Sequence, residues 1–268
     1  MTLQKVFLRM LDLYYIIIIF VSLGAAFFSG LLGIGGGIII FPAFLYLLPF
    51  LGFQTFSVNE ITGIAATQSL AGIFFAFMNH RKFGAINLKV VKAVLPAGII
   101  GALSGAVTAK YVSEKAMLCM YLFLLAVSAV LILIPSAESN NSEDCKLERP
   151  VITNLIIFTG TFISGTLGFA GAVTFMPILN HFCKLPVKAA ISTTTLIVLI
   201  SAILIFAGKI SVGLIPYNLI IFIIIGAVFG AALGSKLNRL LSPFILRMIF
   251  VGIFIILGIR IFLTILEY

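Results

Sequence analysis

The sequence predicts an all-α, polytopic integral membrane protein made of two related halves. Three observations carry this prediction: a composition that is 62% hydrophobic and 9% charged, continuous apolar runs of helical length, and a glycine and proline pattern that occurs twice. With so few charges, nearly the whole chain must be solvated by lipid or by other apolar helices. At ~20 apolar residues per crossing, 268 residues hold about eight crossings with short connections. Runs such as Tyr14 to Phe28 and Tyr217 to Ala232 are unbroken rather than alternating. That suits helices, whose backbone groups are satisfied internally, and not the strands of a barrel.

In chain order, hydrophobic segments fall at 13–30, 34–50, 58–79, 90–110 and 115–135, and a polar loop follows from Ser136 to Arg149. The series resumes at 151–167, 171–183, 188–207, 214–235 and 242–266, the second piece of each set being short. The expected units are therefore a first transmembrane repeat at 1–135, a linker at 136–149 and a second repeat at 150–268. Residue identity supports the duplication. Ser29, Gly30, Gly33, Gly36 and Pro42 recur 135 positions later as Ser164, Gly165, Gly168, Gly171 and Pro177. Farther on, Gly84, Gly101, Gly105 and Ser113 match Gly213, Gly230, Gly234 and Ser242 at an offset of 129.

If the first two pieces of each half form a hairpin that enters and leaves on one side, three crossings remain and the second half is inverted. If the glycine-rich break merely kinks one long crossing, each half has four crossings and the halves are parallel. Lys and Arg counting favours the first. The hairpin arrangement puts Arg81, Lys82, Lys89, Lys92, Lys146, Arg149, Lys184, Lys188, Lys236, Arg239 and Arg247 on one side and Lys5, Arg9, Lys110, Lys115, Lys209 and Arg260 on the other. That 11 to 6 split is sharper than the 10 to 7 of the alternative, and it places both termini outside the cytoplasm of a cell-membrane protein. The net charge of +9 is spread singly or in pairs between segments. It reads as an orientation signal and not as a nucleic-acid surface. Cys119, Cys145 and Cys183 have no metal-ligand spacing, and no cofactor or metal is expected.

The stretch from Ser29 to Pro42 reads SGLLGIGGGIIIFP, and each glycine in an apolar run costs about 1 kcal/mol of helix stability relative to alanine. A helix should stop here. The amide N–H groups that such a break frees are tolerated in a bilayer only where protein or a water-filled cavity meets them. Those at the start of the following half-helix, from Ile38, carry partial positive charge and suit an anion. Glycine also lets a ligand approach the backbone, which makes Gly33, Gly35, Gly36 and Gly37 candidate contacts. A side chain at Gly36 is expected to fill the ligand's place, whereas one at Gly101 should only crowd a helix crossing. The second copy, SGTLGFAGAVTFMP from Ser164 to Pro177, keeps Gly168 and Gly171 and has Ala170 and Ala172 in place of two glycines. Two broken segments at matching positions of inverted halves point to a substrate site between the repeats.

The next segment of each half adds hydroxyls and one amide: Thr67, Gln68 and Ser69 in the first, Ser192, Thr193, Thr194 and Thr195 in the second. These groups can donate to an oxyanion without carrying charge. No Asp or Glu falls in the central part of a hydrophobic segment, so a carboxylate relay and a cationic substrate have little support. Glu60, His80 and His181 sit at segment ends, where solvated positions are the default. Glycines at Gly98, Gly101, Gly105 and at Gly226, Gly230, Gly234 recur every three or four residues, which reads as close helix packing.

The G-x-x-G-x-G-G-G-x-x-x-x-P pattern at Gly30 to Pro42, its weaker partner at Gly165 to Pro177, the A-A-T-Q-S cluster at Ala65 to Ser69 and the small-residue helix around Gly98 to Gly105 together resemble the sulfite exporter TauE/SafE family. The resemblance covers nearly the whole chain. It implies a membrane protein that moves sulfite, organosulfonates or related sulfur-containing anions, with no covalent chemistry. The alanines at 170 and 172 depart from the family's glycine pattern and weaken its transfer to the second half. An anion transporter working by alternating access is expected. A passive channel and a membrane-embedded enzyme are the alternatives, the latter lacking an identifiable nucleophile, acid or metal cluster.

Overall fold

The structure, a computed structural model, describes residues 3–32, 35–80, 86–133, 150–171, 175, 187–238, 240–241 and 243–267. The first half contains α1 (Leu3–Leu32), α2 (Gly37–Phe50), α3 (Val58–His80), α4 (Leu88–Thr108) and α5 (Glu114–Leu133). The second contains α6 (Pro150–Leu167), α7 (Val187–Ser211), α8 (Ile220–Asn238) and α9 (Pro243–Glu267). Six of these helices are long and apolar enough to cross a membrane: those holding Leu13–Leu31, Val58–Met78, Leu88–Tyr111, Pro150–Leu167, Ser192–Ser211 and Tyr217–Asn238.

Local chemistry sets the helix ends. At the start of α3, Ser57 and Glu60 cap each other: Ser57 N donates to Glu60 Oε2 at 2.9 Å and Glu60 N to Ser57 Oγ at 3.3 Å. This reciprocal cap satisfies two amides that the helix leaves orphaned. Asn87 caps α4 by accepting from Val90 N at 3.1 Å, and proline opens both α6 and α9, where its missing N–H costs nothing. Helix α6 stops abruptly. Gly168 adopts φ +82, its N–H donates to Gly165 O, and Phe169 N donates to Ser164 O at 2.7 Å. This is the glycine stop that turns the last carbonyls of a helix inward.

After the first glycine break the chain doubles back. Ser22 of α1 lies beside Gln68 of α3, and Ser29 beside Gly72, so α1 and α3 run in the same direction. Helix α2 begins against Ser69 and Ala65 and descends until Phe44 meets Phe56. Phe53, just past its end, packs on Tyr14 near the beginning of α1, with ring centroids 5.6 Å apart. The piece α1–α2 thus returns toward the side it came from. A kinked single crossing would have carried Phe53 away from Tyr14.

The tightest contacts run between the halves. Along α8, β-carbons added at Gly226, Gly230 and Gly234 would collide with the carbonyls of Ile19, Leu23 and Phe27 on α1. Along α4, those added at Gly101 and Gly105 would collide with the carbonyls of Phe158 and Phe162 on α6. The two seams correspond residue by residue, because Gly101 and Gly105 match Gly230 and Gly234, while Phe158 and Phe162 lie 135 positions after Leu23 and Phe27. Gly30 against Ala231 likewise mirrors Gly165 against Ala102. Each first helix is therefore joined to the third crossing helix of the other half, α1 to α8 and α6 to α4, backbone to backbone, as small residues permit. Within each seam the numbering rises together, so the paired helices run parallel. Helices α3 and α7 cross in opposite senses: Thr62 at the start of α3 meets Lys209 at the end of α7, while Asn87, after α3, meets Thr193 near the start of α7.

The glycines at 101 and 230 are packing positions, and Gly101→Leu is expected to lower the yield of folded protein and transport in parallel. Flux normalised to monodisperse protein from size-exclusion chromatography is the check, and it should stay close to the parental value in whatever folded fraction survives.

Candidate functional site

The first glycine break meets α3 midway along that helix, at Ser69. Gly35 has φ +69, a conformation that costs a residue with a β-carbon, and it faces Ser69. The hydrogen-bonded ladder of α2 opens with Ile39 N and Ile40 N, which both donate to Gly36 O, at 3.2 and 3.1 Å. The amides of Gly37 and Ile38 precede that ladder, as the first N–H groups of any helix do. Close by, Gln68 is held rigidly. Its Nε2 donates to Ser22 O at 3.0 Å, and Ser22 Oγ lies 2.6 Å from Gln68 Oε1, which fixes the orientation of the amide.

Ser69 differs from its neighbours. It is 1% exposed, its Oγ has no hydrogen-bond partner among the described residues, and a β-carbon at Gly37 would collide with that oxygen. A buried hydroxyl left unpaired is rare and costly, and this one faces the start of α2. Ser29, Ser164, Thr194 and Ser201 also carry buried hydroxyls without partners among the described residues, and Ser29 and Ser164 are repeat equivalents.

The second break reaches the first through Phe169. Its ring would lie 3.1 Å from a β-carbon at Gly37, and it packs edge-on against Phe41 and Tyr121. Gly168 presses on Thr62 and Ala66 of α3, Ala170 is fully buried, and Gly171, φ +77, faces Thr161 and Phe175. Phe175 in turn fills the space beside Gly98.

Tyr121 explains how α2 tolerates a proline. Pro42 lacks the N–H that would take the Ile38 carbonyl, four residues earlier, and a π-helical turn, Ala43–Leu47, follows. The freed carbonyl accepts instead from Tyr121 Oη of α5 at 2.5 Å. Tyr121 is fully buried and stacked on Phe41 at 4.9 Å. Tyr121→Phe should therefore destabilise the protein by about 1–3 kcal/mol, the cost of a buried acceptor left unpaired. The check is the denaturation midpoint in detergent, with Tyr121→Leu, which also loses the ring stacking, falling further.

Of the residues expected to form a site, Gly35, Gly36, Gly37, Ile38, Gln68 and Ser69 come together at the first break. Gly33 and Ala172 lie outside the described residues. Gly36 is closed rather than open: a β-carbon there would stand 2.8 Å from Ala25 O and 2.9 Å from Gln68 Nε2. Its smallness serves the contact with α1, which corrects the expectation that a side chain at this position meets only ligand. Thr67 spends its proton on Gly63 O of its own helix, at 3.1 Å, the usual habit of helical threonine. In the second cluster Ser192, Thr193, Thr194 and Thr195 are all buried. Thr193 Oγ1 accepts from Asn87 N at 3.0 Å, so it ties α7 to the start of α4. Glu60 is exposed and occupied by capping. Among the described residues no group of three or more His, Cys, Asp or Glu side chains is placed to hold a metal ion.

Sequence reasoning missed Lys209. Grouped with the solvated orientation charges, it is instead fully buried, and its Nζ donates to Thr62 Oγ1 and to Thr166 O, each at 2.7 Å. The second contact holds a carbonyl in the last turn of α6, where a cation suits the free acceptors. The only signal available was its place just past the end of the strongly apolar run at 188–207.

Two glycine-broken segments meeting among membrane-spanning helices agree with the comparison against known families, in which the description "Sulfite exporter TauE/SafE" matches residues 18–261. The chain belongs to that family. TauE/SafE membership makes it a multi-pass membrane transporter. A probable membrane transporter protein of Methanocaldococcus jannaschii is 25% identical over 262 residues, covering 90% of this chain and 93% of its own. Another, from Bacillus subtilis, is 27% identical over 225 residues, covering 81% of this chain and 88% of its own. No solved structure gives a significant match to this TauE/SafE chain.

Proposed function

We propose that the protein is a secondary transporter that exports small sulfur-containing anions such as sulfite or organosulfonates by alternating access. The observation that carries this reading is the meeting of the two breaks, Phe169 of the second against Gly37 of the first, with the unpaired Ser69 hydroxyl beside the opening amides of α2. Neutral donors and a helix start stabilise an oxyanion without the desolvation cost of a fixed partner. The hydroxyls of Ser29, Ser164 and Thr194 and the glycine at 171 complete the site on this reading, while Gly168 serves the contact with α3. The units 1–135 and 150–268 act as inverted repeats, which the opposite courses of α3 and α7 and the mirrored glycine seams support. On this reading both termini lie outside the cytoplasm and the 136–149 linker inside it.

Purified protein in liposomes is expected to take up labelled sulfite or sulfonate with saturation and to be accelerated by unlabelled substrate on the opposite side. Linear, unaccelerated flux would indicate a channel, and no flux of any sulfur oxyanion would refute the substrate class. For the orientation, Cys145 in a variant lacking Cys119 and Cys183 should resist a membrane-impermeant thiol reagent in intact cells and react after lysis.

A further inference from the structure

Among the described residues Lys209 is the only charged side chain that is buried. Its two hydrogen-bond partners, Thr62 Oγ1 and Thr166 O, are neutral, and they place two of the three protons an ammonium offers. No carboxylate among the described residues answers it. Glu60, nearest to Thr62 in sequence, is exposed and engaged by Ser57. A buried charge without a counter-ion carries a heavy desolvation penalty, and an apolar residue of similar volume would serve packing as well or better. Within a membrane-spanning segment, an ionisable group of this kind marks a functional path.

Its position fits such a path. Lys209 lies where α3, α6 and α7 meet, bonded to Thr62 and to Thr166 O, and Gly168 presses on the same Thr62 and on Ala66. Thr62 and Ser69 share α3, about 10 Å apart along its axis at 1.5 Å per residue. At that range an unscreened charge in a low-dielectric interior still acts strongly on an anion.

We infer that Lys209 sets the charge selectivity of the transport site: its ammonium supplies the positive potential that admits a small oxyanion to the seam of α3, α6 and α7 and rejects an uncharged molecule of the same shape. The inference rests on the proposed transport of anions and assigns the missing counter-charge. Lys209 is a specificity-determining residue on this view, whether or not the anion touches it.

The test measures ligand-induced rises in melting temperature of the purified protein, which need no turnover. The paired probes are methanesulfonate with dimethyl sulfone and acetate with acetamide. The parent should prefer a charged probe over its neutral counterpart by at least about a hundredfold. Lys209→Gln, which keeps donors for Thr62 and Thr166 but removes the charge, should lower that ratio by at least tenfold, or about 1.4 kcal/mol. Thr62→Val, which keeps the charge and removes a partner, should leave the ratio parental. A ratio does not depend on how much protein folds, so a merely structural role would not move it. Lys209→Met serves if the Gln variant is not recovered. A parental ratio in either Lys209 variant, an equal fall in Thr62→Val, or a parental preference below tenfold overturns the inference. A Lys209-dependent ratio for acetate in a protein indifferent to sulfonates would instead retain the inference and refute the sulfur-anion substrate.

Discussion

Gly36→Leu is expected to leave no recoverable folded protein. The position lies where the returning chain crosses α1, and a single added carbon already stands 2.8 Å from Ala25 O and 2.9 Å from Gln68 Nε2. Neither neighbour can retreat: one is helix backbone and the other is held by Ser22 at both ends of its amide. A leucine adds three further carbons to that gap. Overpacking costs typically about 1–3 kcal/mol even where side chains can adjust, and here the obstacle is main chain. The expected readout is loss of the monodisperse peak on size-exclusion chromatography. A stable Gly36→Leu protein would mean that α1 and α2 separate far more easily than their contacts suggest.

Gly37→Ala should do the opposite, leaving the fold and removing transport. Gly37 begins α2 in a helical conformation, and alanine raises helix propensity by about 1 kcal/mol. The new methyl would displace the Ser69 hydroxyl and sit 3.0 Å from Ala65 O and 3.1 Å from the Phe169 ring. It thus stands between the first break, α3 and Phe169 of the second break. Sulfite or sulfonate flux per folded molecule is expected to fall at least about tenfold, with a melting temperature within a few degrees of the parent. Parental flux in Gly37→Ala liposomes would remove the first break from the transport path. Ser69→Ala is the milder companion: it deletes one donor to a charged group, worth about 1.5–3 kcal/mol, and should raise the apparent Km with little change in stability.

The contrast between these adjacent glycines marks how far the sequence could be read. Where a helix breaks is a local matter of glycine and proline spacing, so both breaks and the small-residue faces of α4 and α8 were legible. Which glycine faces fixed backbone and which faces the Ser69 hydroxyl and the second break depends on α1, α3 and Phe169, far away in the chain, and adjacent letters give no hint of it. The hydroxyl clusters were legible only as inventories. Thr67 bonds within its own helix while Ser69, two residues on, does not, a distinction set by helix face and neighbour. Lys209 was misread because a cation at the end of an apolar run is ordinarily solvated, and the seam that buries it is made by α3 and α6. Tyr121 went unnoticed because the carbonyl it serves is freed by Pro42 on another helix.

The two glycine seams have a consequence for biogenesis. During synthesis α1 enters the bilayer early, yet the surface it presses most closely against belongs to α8 and is made only when most of the chain has been translated. Until then the carbonyls of Ile19, Leu23 and Phe27 face lipid or a surrogate partner, and α6 must find α4 across the same delay. Each first helix has its longest backbone-to-backbone seam with the other half, so a nascent chain arrested before Ile220 should remain protease-sensitive and bound to insertion or quality-control factors. Two separately expressed halves, by contrast, should rescue one another, because each brings the helix that the other is waiting for.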